Sequence, residues 1–180
     1  YQFFIATIEL NLQKFYIMYP YRIEIKWALI FSLMTIVWMF IEKLIGLHSI
    51  HIDKHPIYTN LILLPTIIIY VLALKNKNKI AYHDMMTFKE GFISGLIMTF
   101  IILILTPLIQ FIITNWISPE YFSNMIKYSV EKGYMTQTGA ETYFNLKSYL
   151  IQMMLGTIGM GTLLSALTAY FLRNKKTHDL

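Results

Sequence analysis

Four stretches of this chain carry no Asp, Glu, Lys or Arg. Trp27–Ile41 is a run of fifteen residues, His55–Leu74 of twenty, Gly91–Pro119 of twenty-nine and Ser148–Leu172 of twenty-five. A helix rising about 1.5 Å per residue crosses a hydrocarbon core of roughly 30 Å in about 20 residues. Three runs reach that length unaided. The first reaches it when its helix extends over about 25–47, with Lys26, Glu42 and Lys43 snorkelling at the interfaces. A buried soluble helix accounts for one such run, not for four in 180 residues. Barrel strands alternate apolar and polar positions over about ten residues, and "TIIIYVLAL" and "PLIQFII" do not alternate. The predicted fold is therefore an all-α integral membrane protein. Its membrane domain, 24–172, holds four transmembrane helices at about 25–47, 56–74, 90–117 and 148–172. Composition agrees: 56% apolar and 14% charged, against about 45–50% and 25% in soluble domains.

Lysine and arginine placement predicts orientation. Ten lie on one side: Lys14, Arg22 and Lys26, then Lys75, Lys77 and Lys79 of an expected "KNKNK" loop, then Lys89, Arg173, Lys175 and Lys176. Five lie on the other: Lys43, Lys54, Lys127, Lys132 and Lys147. The positive-inside rule then puts both termini in the cytoplasm, with 173–180 a basic cytoplasmic tail. Residues 1–23 read as a leader. Its first seventeen positions lie either upstream of a natural start at Met18 or in a short aromatic interfacial helix. They lack the basic and small-residue features of a signal peptide. The net charge of +5 sits in short clusters between apolar runs, so no nucleic-acid partner is expected. The absence of cysteine excludes disulfides, thiolate metal sites and cysteine nucleophiles.

"EIKWALIFSLMTIVWMFIEKLIGLH", "YTNLILLPTIIIYVLAL", "TFKEGFISGL" and "YFNLKSY" occur in that order. With the Phe88–Gly91–Gly95 spacing, they resemble the membrane-protein family called domain of unknown function 4199, known chiefly from Bacteroidetes. The resemblance covers roughly 24–172. It implies four membrane helices in a bacterial inner membrane and brings no activity, substrate or catalytic residue.

The connection "GLHSIHIDKHPIY" gathers His48, His51, Asp53 and His55. On a continuous helix the three histidines would share a face. Zinc takes imidazole nitrogen and carboxylate oxygen, and Glu42 could add a ligand. Pro56, however, disfavours helix at His55, which leaves His48 and His51 as the expected pair, with Asp53 pointing elsewhere. That pair lacks the Glu of the helical zinc signature. The expectation is a wet interfacial connection whose histidines titrate near about 6.5, with no zinc, no metal ligands and no cofactor.

Gly91, Gly95 and Thr99 form one small-residue stripe, and Thr157, Gly161, Ser165 and Ala169 another. Such stripes let helices approach closely in lipid. They are expected to pack spans three and four within one chain, the alternative being a homodimer. On that reading Gly161→Leu destabilises and Gly161→Ala is mild. Pro65 and Pro107 interrupt helical hydrogen bonding. Asn60, Thr66, Thr106, Gln110 and Gln152 lie near them and could line an outward-facing cavity. No ionisable group falls near the middle of a span, which argues against a proton relay. In the segment 118–147, Ser118 is expected to cap an amphipathic helix that ends at Gly133, with Phe122, Met125, Ile126 and Ser129–Val130 on its apolar stripe. Thr138–Glu141 is expected to form a capping box leading into span four.

No catalytic residue is predicted. The leading functional expectation is a non-enzymatic accessory subunit of the inner membrane, associating with the lipid bilayer and with another membrane protein or a second copy. The alternatives are a small-molecule binder using the outward cavity and a metal-dependent membrane enzyme using His48–His55.

Overall fold

A computed structural model describes residues 21–174. Residues 1–20 of the leader, with Met18, and most of the basic tail lie outside the described residues; the leader's last two positions open span one. Among those described there is no strand. Four helices are long and apolar enough to cross a membrane: span one Arg22–Leu44, span two His55–Ala81, span three Phe88–Ile117 and span four Leu146–Leu172. Together they make an all-α membrane protein. Spans one, three and four each meet their neighbours along one face, and large side chains such as Leu33, Phe100, Ile104 and Leu155 point outward. That is the arrangement for which lipid replaces water as solvent.

Span two is built in three pieces: a helical turn His55–Tyr58, a 3-10 turn Thr59–Ile62 and an α-helix Leu63–Ala81. Pro65 therefore sits in the first turn of the last piece, where a missing N–H is tolerated, rather than in mid-helix as expected. Pro56 stands likewise at the start of the first turn, so His55 is helical after all. At the other end the helix continues through "KNKNK" to Ala81. The lysines were expected in a loop, but nothing in "KNKNK" breaks a helix. Span three opens on a capping box, with Thr87 Oγ1 accepting from the Glu90 N–H and the Glu90 carboxylate from the Thr87 N–H. It carries Pro107 internally and closes in a π-helical turn, Ile113–Ile117.

Spans three and four pack through the small-residue stripes. A Cβ built on Gly95 would lie 2.6 Å from Ser165 Cβ, and one on Gly91 3.1 Å from Ala169 Cβ. Gly91, Gly95 and Thr99 thus meet Ala169, Ser165 and Gly161 within the chain, as the in-chain reading expected.

Between spans three and four lie two short helices, Tyr121–Glu131 and Gln137–Tyr143. The first packs Tyr121 and Met125 with Ile52 of the histidine connection and also buries Ser129, and Gly133 ends it with φ +71. Two expectations fail here. Ser118 does not cap this helix, whose N-cap is Glu120. Thr138–Glu141 is not a box leading into span four: Thr136 caps the short helix, and Asn145 separately caps span four by accepting from the Ser148 N–H.

Candidate functional site

A cavity of about 400 Å³ lies among the four spans, toward the end that carries the histidines. Every span contributes to it: Thr35 and Met39 from the first, Asn60 and Thr66 from the second, Thr106 and Gln110 from the third, Gln152 and Gly156 from the fourth. All five polar residues expected at an outward cavity line this one. Among the described residues no Asp, Glu, Lys, Arg or His does. The cavity reaches inward to Tyr70 and Gly161. There Thr99 Oγ1 donates to the Gly95 carbonyl at 2.8 Å, which leaves the Tyr70 hydroxyl to donate to Thr99 at 2.8 Å.

The polar groups of the cavity have a common bias. Each threonine hydroxyl has one proton, and in three of the five threonines that line the cavity it goes to the backbone one turn back. Thr35 donates to the Phe31 carbonyl at 3.0 Å, Thr66 to Ile62 at 2.8 Å and Thr106 to Ile102 at 2.9 Å. Asn60 spends amide hydrogen on the Pro56 carbonyl at 2.7 Å, and Gln110 on Thr114 Oγ1 at 3.2 Å. What these groups still offer is mainly oxygen lone pairs. The cavity is an apolar space with acceptors on its wall, beside the Gln152 amide, which offers donors as well.

At the histidine end a separate cluster closes over spans one and two. Span one stops at a Schellman turn: Gly46, with φ +80, donates to the Lys43 carbonyl at 3.0 Å, and Leu47 to the Glu42 carbonyl at 2.9 Å. The reversal swings His48 back toward Glu42 in the last turn of its own helix. His48 Nε2 lies 3.2 Å from Glu42 Oε2, and His55 Nε2 lies 3.4 Å from the same oxygen. The second contact is within ion-pair range but off hydrogen-bond geometry, so His55 Nε2 is buried without a hydrogen-bond partner. Trp38 Nε1 donates to Glu42 Oε1, and Ser118 Oγ meets His48 Nδ1 at 2.9 Å. The Tyr121 ring stands 5.1 Å from each imidazole. Burial, with Tyr149 beside it, raises the Tyr121 hydroxyl above the ordinary phenol range, so it stays neutral.

This overturns the expected pairing of His48 with His51. His51 is exposed, as is Asp53, while His48 and His55 converge with Glu42. The two buried histidines are no part of a wet surface.

The sequence profile of the family described as protein of unknown function, DUF4199, matches residues 26–174. The chain belongs to this family. No curated protein and no solved structure matches it. The DUF4199 match spans all four helices, so the cavity and the histidine cluster both fall within the family's unit.

One further site went unread in the sequence. At the lysine end Lys77 Nζ lies 2.8 Å from Glu24 Oε1, and Ser94 Oγ donates to the same oxygen at 2.6 Å. All three residues are buried. Counting Lys77 as a loop residue hid the pair. The signal that could have found it is helical: Lys77 follows Tyr70 and Ala73 by seven and four residues on the inward face of span two.

Proposed function

We propose that this protein binds an uncharged, largely apolar small molecule, bearing a hydroxyl or N–H donor, in the cavity among its four spans. The observation that carries the reading is the cavity's lining: all four spans contribute, no charged side chain among the described residues enters, and three of its five threonines have spent their hydroxyl protons on backbone carbonyls. Its volume of about 400 Å³ falls within the roughly 300–1,000 Å³ of small-molecule sites. A ligand with a donor finds acceptors there, whereas an anion would find no counter-charge. The reading includes a place: a bacterial inner membrane, termini in the cytoplasm and the cavity on the periplasmic side, supported by ten lysines and arginines against five. It moves the binder ahead of the accessory subunit.

The test is extraction of the protein in mild detergent, followed by native mass spectrometry. A bound small molecule is expected, and Gly156→Leu should expel it. Gly156 lines the cavity and has no atom within 4 Å of a Cβ built on it, so leucine fills the space without a clash and stability should hold. A ligand-free protein, or one whose ligand survives Gly156→Leu, overturns the proposal. Co-purification of another membrane protein in place of a ligand would restore the accessory-subunit reading.

A further inference from the structure

We propose that Glu42, His48 and His55 form a binding site for one divalent transition-metal ion, with zinc the first candidate. The inference is independent of the cavity and of what fills it.

The first support is distance. Zinc bonds to imidazole nitrogen and carboxylate oxygen run about 2.0–2.2 Å, so ligands at the corners of a tetrahedron stand about 3.3 Å apart. The two Nε2 atoms stand 3.2 and 3.4 Å from Glu42 Oε2. One ligand atom from each of the three residues lies within 4.8 Å of the others.

The second support is an unspent polar atom. His55 is 5% exposed, and its Nε2 faces the carboxylate with no hydrogen-bond partner. Leaving a buried nitrogen unsatisfied is costly. A cation between the three groups would use it, and would also neutralise a buried carboxylate.

The third support is orientation from outside the set. Metal-bound histidines almost always engage the other ring nitrogen, and ligating carboxylates are themselves hydrogen-bonded. Here Ser118 holds His48 Nδ1 at 2.9 Å, and Trp38 holds the second oxygen of Glu42. This also explains why Ser118 gives up its expected role as a helix cap. Two histidines and one carboxylate leave the fourth position of a tetrahedron to water.

The test uses the full chain in detergent, stripped with a chelator and then dialysed against Zn²⁺ or Co²⁺. The wild type should retain about one ion per chain, melt at a higher temperature with Zn²⁺, and show the intense visible bands of four-coordinate Co²⁺. His51→Ala should bind like the wild type. Glu42→Gln and His55→Ala should lose the ion, and Ser118→Ala should weaken binding about tenfold or more. Should the Glu42 and His55 variants fail to fold, the wild-type cobalt spectrum and zinc-dependent melting decide alone. Retention well below one ion, absence of those bands, or binding that survives His55→Ala would overturn the site.

Discussion

Gly95 and Gly159 lie on the two helices of the closest pair, yet they differ in what surrounds them. A Cβ on Gly95 would meet Ser165 Cα at 3.1 Å as well as its Cβ, while nothing lies within 4 Å of one on Gly159. Gly95→Ala should therefore lower the melting temperature in detergent, with overpacking costing about 1–3 kcal/mol, and Gly159→Ala should leave it unchanged. Equal tolerance of both would refute the contact. Stripe spacing made the partners legible: 91, 95 and 99 oppose 169, 165 and 161 in antiparallel order. The tolerance of Gly161→Ala was misjudged. A Cβ there would stand 2.6 Å from Thr99 Oγ1 and 2.9 Å from the Tyr70 hydroxyl, two atoms bound to each other. A hydrogen bond between side chains 29 residues apart leaves no trace in helical periodicity.

Helix ends divide into legible and illegible ones by the same logic. Span three begins on Thr87–Glu90, a local pattern, and its hydrogen bonds are the ones such a pattern makes. Thr87→Ala should destabilise the protein by about 0.5–2 kcal/mol, read as a lower midpoint in a denaturation series. An unchanged midpoint would mean that packing alone sets this end. Ser118 also looks like a cap in sequence, but His48, 70 residues away, takes its hydroxyl. The histidine triad was hidden for a related reason. Its convergence depends on the left-handed turn at Gly46 and on Pro56 starting a helix instead of preventing one. Periodicity describes side chains along a straight helix and cannot see a chain folded back on its own last turn.

For the whole molecule, class and span number followed from the uncharged runs, because a bilayer demands lengths that few other environments tolerate. The cavity was legible as a set of polar residues near two prolines; its volume and its acceptor bias required coordinates. Orientation has its own measurement. A reporter active only in the cytoplasm should work when fused after Leu180 and be silent at Lys132, and the reverse pattern would turn the cavity toward the cytoplasm. The two ends of the bundle also set a timetable for biogenesis. Glu24 meets Ser94, and His48 meets Ser118, each pair 70 residues apart. At a synthesis rate of about 5–20 residues per second, each wait lasts roughly 4–14 s. During that interval the first hairpin resides in the bilayer with its polar groups incompletely partnered. A chain cut before span three would lack Ser94 and Ser118 and leave Glu24 and His48 without those two hydroxyls.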